Sequence, residues 1–258
     1  MGNDVDLIEL KNITRFYEKD GKNTVGVKDV SFKVKKGEIV AILGPSGCGK
    51  TTILRMIANL ILPSSGFIYY RDKNINYARV NGLISYIPQT ASLIPFRTIL
   101  ENIRLPLELK KITDLQKVSE LVSLCSLSGF ENYFPSELSV GMKQRTAIAR
   151  ALTINPEVIL MDEPFASLDE IIKEKLNEEV LRIQATLRTT ILYVTHNIEE
   201  AVFLANKIII LSCEPGTVVD IIDIDLPLKR DSILRTEEIF FRETIKVRKS
   251  LKKYAKIS

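Results

Sequence analysis

Two kinds of apolar pattern divide this chain. The first is a set of short, mostly apolar runs at Ile39–Leu43, Leu83–Ile87, Val158–Met161 and Thr190–Val194. Such runs predict strands buried on both faces, as in a parallel sheet covered by helices. The second is helical spacing, first in Ile53, Leu54, Ile57, Ala58 and Leu60, then over residues 98–110, 114–128 and 143–152, and in a long polar stretch ending near Arg188. Period-two alternation appears near the N-terminus, where Val30, Phe32 and Val34 interleave with Asp29, Ser31 and Lys33. It predicts antiparallel strands over 7–17 and 25–34. Phe67–Tyr70 and residues 207–212 and 217–222 read as further strands.

The helices at 98–110 and 114–128 have no strand between them, so a helical insertion over about 92–153 is expected inside an α/β domain spanning 1–222. The remaining residues, 223–258, form a C-terminal extension. Between Glu237 and Tyr254, Phe240, Phe241, Ile245, Val247 and Leu251 stand among many Lys and Arg and predict an amphipathic helix. Its basic face suits either an anionic membrane surface or plain solvation of a helix packed on the core.

The run Ile39–Leu43 feeds Gly44-Pro45-Ser46-Gly47-Cys48-Gly49-Lys50-Thr51-Thr52, which fits the phosphate-loop pattern G-x-x-x-x-G-K-[ST]. The glycines let backbone N–H groups point inward as an anion-binding nest, and the following helix adds its positive N-terminal end. Lys50 would reach the β- and γ-phosphates of a nucleotide, and the Thr51 hydroxyl would hold Mg²⁺. An ordinary glycine-rich turn is the bland alternative, and the flanking strand and helix argue against it.

Other chemistry collects at predicted strand ends. Val158–Met161 runs into Asp162 and Glu163. Asp162 suits Mg²⁺, directly or through water, and Glu163 could accept a proton from attacking water. Gln89, just past the strand at Leu83–Ile87, could coordinate Mg²⁺ or orient water. His196, the single histidine, ends the run at Thr190–Val194. A lone histidine is commonly a satisfied surface or core residue, but this sheet edge is where open α/β sheets bind ligands. Asn197 can cap the next helix, with Glu199 and Glu200 in its first turn. Tyr17, at the end of the first strand, is either a strand-end aromatic or a stacking surface for an adenine ring. Ser139 is placed to cap a helix that could face an anion.

Composition adds limits. With 45% hydrophobic and 26% charged residues, the 258-residue chain is ordinary for a globular protein able to bury a sizeable core. No apolar run approaches the length of a membrane span. The start, Met1-Gly2-Asn3-Asp4-Val5-Asp6, lacks a signal-peptide pattern, and Asp6 stands where myristoylation of Gly2 would want Ser or Thr. Cys48, Cys125 and Cys213 are scattered and odd in number, suiting a reducing compartment. A net charge of +4 is too mild to argue nucleic-acid binding. A cytoplasmic location is expected.

Taken in order, these segments resemble the ATPase subunits of ABC transporters over nearly the whole chain. Tyr17 matches the adenine-stacking aromatic, Gly44–Thr52 the Walker A loop, Gln89 the Q-loop and Ser139–Met142 the signature. Val158–Glu163 matches Walker B, Ser167–Asp169 the D-loop and His196 the switch histidine. The resemblance implies an α/β P-loop NTPase (RecA-like) core with an antiparallel β subdomain and an inserted α-helical subdomain, using ATP and Mg²⁺. It implies two subunits, most simply a homodimer, closing head to tail on two ATP molecules. Ser139 and Gly141 of one subunit would then meet the γ-phosphate held by Lys50 of the other. His196 would contact that phosphate and Glu163 would polarise the water.

One position departs from the family pattern. Val140 stands where the signature most often has Gly. A β-branched residue does not readily adopt φ > 0, so Val140 is neutral only if its backbone is ordinary.

A finer resemblance, to ATPases of nitrate, sulfonate and taurine importers, rests on three stretches. They are Leu93–Thr98 with Glu101-Asn102, Gly141–Arg145, and Glu214-Pro215-Gly216 followed by Asp225-Leu226-Pro227. Importers of phospholipid or other organic anions share some of these. The implied partners are a membrane permease and, indirectly, an exported substrate-binding protein, with the ATPase peripheral on the inner membrane face. The alternatives are a lipid or other transporter, a non-transport ATPase of the same class, or a nucleotide-gated regulatory subunit that barely hydrolyses. Glu163 argues against the last.

Overall fold

The computed structural model describes residues 5–19, 22–166, 168–213 and 215–254. The Gly2 and N-terminal readings, Ser167 of the D-loop stretch and Glu214 lie outside the described residues.

A six-stranded sheet carries the domain, in the order β10-β9-β3-β8-β7-β6. Its strands are β3 (Ile39–Leu43), β6 (Ile84–Ile87), β7 (Val158–Asp162), β8 (Thr190–Thr195), β9 (Lys207–Leu211) and β10 (Val218–Asp223). All neighbours are parallel except β10, which pairs antiparallel with β9. Side chains alternate between two cores. Ala41, Leu43, Ile159, Met161, Ile191 and Tyr193 enter one, while Val40, Ile42, Val158, Leu160, Leu192 and Val194 enter the other. Both faces are covered, so these strands read as continuous apolar runs rather than alternating ones.

A smaller antiparallel sheet, in the order β2-β1-β4-β5, covers the second core. It contains β1 (Asp6–Lys19), β2 (Lys22–Lys35), β4 (Ser65–Tyr70) and the two-residue β5 (Lys73–Asn74). Helix α1 (Lys50–Ile57) packs on the same side. It is shorter than its apolar spacing suggests. Asn59 adopts a left-handed backbone (φ 52), and the amides of Asn59 and Leu60 bond back to the carbonyls of Met56 and Arg55. That glycine-like stop satisfies the last carbonyls and leaves Leu60 54% exposed. The segment Lys73–Val80, which has little apolar periodicity, holds β5 and the short α2 (Ile75–Val80), capped by Asn74.

The helical region supplies α3 (Ile99–Leu109), α4 (Leu115–Leu124) and α5 (Val140–Leu152). Each start has a side-chain cap: Thr98 with Glu101 as a reciprocal box, Asp114, and Ser139, whose Oγ accepts from the Met142 amide at 3.2 Å. Asp169 caps α6 (Glu170–Leu187) and Asn197 caps α7 (Ile198–Leu204) in the same manner.

After β10 the chain stays on the core. Ile224 and Leu226 are buried in it. The Arg230 guanidinium is buried and donates to the carbonyls of Phe203 (2.7 Å) and Ala205 (2.9 Å) at the end of α7, and to Pro227 (2.9 Å). Arg235 lies over the Phe203 ring at 4.1 Å. Helix α8 (Glu238–Tyr254) then buries Phe240 and Val247 in the main core. Phe241 and Ile245, grouped with them by apolar character, instead point outward, because their positions fall on the opposite side of the helical wheel.

Two stability measurements test this packing. Arg230→Met should lower unfolding free energy by about 2–4 kcal/mol in chemical denaturation, because several buried carbonyls lose their donor. The second concerns Glu200, which burial pushes up to about 7, against the opposing Thr195 hydrogen bond. The native state therefore holds a proton between about pH 4.5 and 7 that the unfolded chain releases, so this group's penalty grows as pH rises through that window. Glu200→Gln should accordingly gain on the parent between pH 4.5 and 8 by up to about 3 kcal/mol.

Candidate functional site

Four strand ends reach one edge of the large sheet. The pairings Leu43↔Thr195, Asp162↔Val194 and Ile87↔Met161 bring the carboxyl ends of β3, β8, β7 and β6 level. Every candidate residue that follows one of these strands therefore emerges on the same side. Beyond β3 the loop turns through Gly47 (φ 81) and Gly49 (φ 91). At Gly49 a Cβ would sit 2.3 Å from Val27 Cγ1, so glycine is required twice over, by backbone and by space. The loop delivers Lys50 and Thr51 as the first residues of α1.

Lys50 is only 5% exposed. Its Nζ donates to the carbonyls of Gly44 and Pro45, both at 2.9 Å, and lies 3.9 Å from Glu163 Oε1. Thr51 Oγ1 donates to Asp162 Oδ1 at 2.7 Å. Tyr86 OH donates to the other carboxylate oxygen, Oδ2, at 2.8 Å. Asp162 is 4% exposed at the end of β7. Glu163 follows in a left-handed backbone (φ 44), its amide bonded to the Val194 carbonyl at 3.2 Å. That conformation is costly for a non-glycine residue and is typical of functional sites. The Glu163 carboxylate is 3.3 Å from His196 Nδ1. A cleft of about 240 Å³ lies between the loop and Glu163. Tyr17 stands at its margin, its hydroxyl 3.0 Å from Thr52 Oγ1 and its ring under Arg15 at 5.2 Å.

Thus Lys50, Thr51, Asp162, Glu163 and His196 come together. Gln89, Ser139 and Gly141 do not line the cleft. Gln89 is exposed after β6, and Ser139 is exposed at the start of α5 while Gly141 is buried. Val140 has no positive φ; it is the first residue of α5 and is 50% exposed. Its backbone is ordinary, so the bulk of its side chain meets solvent rather than its own loop. Cys48 lies in the core beneath the loop, and burial pushes its thiol up to about 11.

Three contributing residues carried no sequence signal. Tyr86 has the period-two position of any strand residue. Arg55, an exposed α1 residue, interacts electrostatically with the Tyr86 phenol. Burial pushes that phenol up to about 12, so it stays protonated and can donate. Arg150 on α5 donates to the carbonyls of Ala91 (2.8 Å) and Ser92 (2.9 Å), fastening the segment after Gln89 to α5.

The donor set suits Mg²⁺. Thr51 and Asp162 offer oxygen only, and no group of three or more His, Cys, Asp or Glu able to hold a metal occurs among the described residues. Mg²⁺ is commonly held by one or two carboxylates together with substrate phosphates rather than by an all-protein cage. Lys50 and the loop amides beside those oxygens supply the phosphate half of such a site.

Residues 27–166 match the ABC transporter family. The chain is 37% identical to an uncharacterized ABC transporter ATP-binding protein of Methanocaldococcus jannaschii, over 87% of this chain and 84% of the relative. It is also 37% identical to an aliphatic sulfonates import ATP-binding protein of Bacillus cereus, over 90% of this chain and 91% of that protein. Among solved structures, the ATP-binding cassette MJ0796, a dimer in a post-hydrolysis state bound to ADP and Pi, superimposes with a TM-score of 0.74 at 33% identity. That match covers 85% of this chain and all of the other. With likeness of this extent in sequence and in fold, the chain belongs to the ABC transporter family, as one of its ATP-hydrolysing, ATP-binding subunits.

Proposed function

We propose that the chain powers an importer: two copies close head to tail on two ATP molecules and pull on a separate membrane permease. The observation that carries the site half of this reading is the convergence of Lys50, Thr51, Asp162, Glu163 and His196 at one sheet edge. In the proposed cycle Lys50 exchanges the Gly44 and Pro45 carbonyls for phosphate oxygens. Tyr17 leaves Thr52 to stack on adenine. Glu163 takes a proton from the attacking water, held in place by His196. Thr51 and Asp162, with Gln89 as a further candidate ligand, would hold Mg²⁺, which would supply charge neutralisation on the phosphates.

Dimerisation is supported by what each copy lacks. The cleft is open to solvent, while the α5 N-terminus displays Ser139 and Val140 elsewhere on the surface, with Gly141 buried behind them. A helix N-terminus is an anion site, and a head-to-tail partner would bring it to the γ-phosphate. The solved cassette of similar fold is dimeric, which supports the pairing of two copies. No helix among the described residues is long and apolar enough to cross a membrane, so a transport role requires a permease partner, with this subunit at the inner membrane face. The sulfonate-import relative and the matching stretches around Leu93–Thr98 and Gly141–Arg145 favour import of a small organic or inorganic anion.

Glu163→Gln tests the reading. It should retain ATP binding, slow hydrolysis by about 10²–10⁴ as for a lost general base, and shift the ATP-bound protein to a dimer by light scattering. Detergent pull-down of the tagged variant from its own cells, read by mass spectrometry, should recover a multi-spanning permease. Unchanged turnover would remove Glu163 from the chemistry, and recovery of soluble nucleic-acid factors alone would overturn the transport role.

A further inference from the structure

Strand β6 has a part in the metal site that its sequence does not announce. Ser85 and Ile87 are buried, and Ser85 Oγ bonds the Ala151 carbonyl on α5 at 2.8 Å. The alternate residue, Tyr86, turns to the α1 side of the sheet and packs against that core. There its hydroxyl reaches Asp162 Oδ2 at 2.8 Å, while Oδ1 takes the Thr51 hydroxyl at 2.7 Å. The Arg55 guanidinium, four residues beyond Thr51 and one turn along α1, interacts electrostatically with the phenol. Among the described residues Asp162 Oδ2 has no hydrogen-bond partner besides Tyr86.

We propose that Tyr86 is a positioning residue for the cation: its hydroxyl fixes the Asp162 carboxylate with Oδ1 toward Thr51 and so sets Mg²⁺ affinity. The inference rests on the reading that Thr51 and Asp162 hold the ion. Tyr86 does not touch the ion or the nucleotide. It restricts rotation of a 4% exposed carboxylate that would otherwise carry one unsatisfied oxygen and turn to find a partner. The geometry has a second consequence. Two residues beyond Ile87 the same strand runs into Gln89, and Arg150 fastens the carbonyls of Ala91 and Ser92 to α5. The hold on Asp162 is therefore attached to the segment that joins the sheet to the helical region.

The test uses the full chain with Glu163→Gln as a non-hydrolysing background and reads binding rather than turnover. Affinity for a fluorescent ATP analogue is titrated in EDTA and at increasing Mg²⁺, and Mn²⁺ binding in the presence of ATP is followed by electron paramagnetic resonance. Adding Tyr86→Phe should raise the half-saturating Mg²⁺ and Mn²⁺ concentrations about ten- to 150-fold, as expected for one lost hydrogen bond to a charged group. Affinity in EDTA should change less than about twofold, since no phosphate-loop contact is removed. Arg55→Gln, which keeps the phenol, should shift the cation curves in the same direction by less.

Unchanged cation curves in folded Tyr86→Phe would overturn the proposal. So would an equal loss in EDTA and in Mg²⁺, which would mark a merely structural role. If Tyr86→Phe does not fold, Arg55→Gln decides by the same criteria. Asp162→Asn separates the two levels of argument. If it abolishes cation dependence while Tyr86→Phe leaves it intact, only the Tyr86 role fails. If Asp162→Asn also leaves it intact, the metal assignment beneath it fails.

Discussion

Parallel pairing of β3 with β8, and of β8 with β7, is the constraint on which the rest of this molecule depends. Parallel strands present their carboxyl ends at one edge, and the in-step register Leu43↔Thr195 and Asp162↔Val194 leaves no freedom in where the following residues emerge. Residues more than a hundred positions apart thus meet within hydrogen-bond distance, as Thr51 and Asp162 do at 2.7 Å. Such a sheet must be covered on both faces. The antiparallel sheet with α1 and α2 supplies one cover, and α3 to α8 supply the other. The division of labour follows: one cover begins with the phosphate loop's helix, the other carries Ser139 and Gly141.

Legibility in the sequence tracked how local the physics was. The buried runs at Ile39–Leu43, Val158–Met161 and Thr190–Val194 read as strands because burial on both faces leaves no polar alternation. Ser139 and Asn197 read as helix caps and are caps in the fold, since capping needs only a side-chain oxygen and an amide a turn away. Lys50, Thr51, Asp162 and Glu163 could be named because a phosphate loop and a strand ending in acids are compact patterns. The helical insertion was readable from two helices with no strand between them, whereas the proposed partner-facing role of Ser139 and Gly141 came only from family resemblance.

What escaped was long-range or geometric. Leu60 fits the helical spacing, yet a left-handed Asn59 ends α1 before it. Phe241 and Ile245 count as apolar, but their angle on α8 turns them to solvent. Tyr86, Arg55 and Arg150 act through contacts across chain separations that no spacing rule encodes. Arg230 is the clearest case. In sequence it is one basic residue near the start of a basic tail, and in the fold it is a buried cap for the end of α7.

The backbone at Glu163 sets two demands against each other. Its φ of 44° favours glycine or asparagine by about 1–2 kcal/mol, whereas proton transfer favours a carboxylate on a reach longer than asparagine has. The chain keeps the carboxylate and carries the conformational cost at the one place where β7 hands over to the loop. Glycine at this position would relieve the torsion and, on the proposed mechanism, leave a sturdier cassette that binds nucleotide and idles; on that mechanism this torsion angle is where the fold gives up stability for turnover.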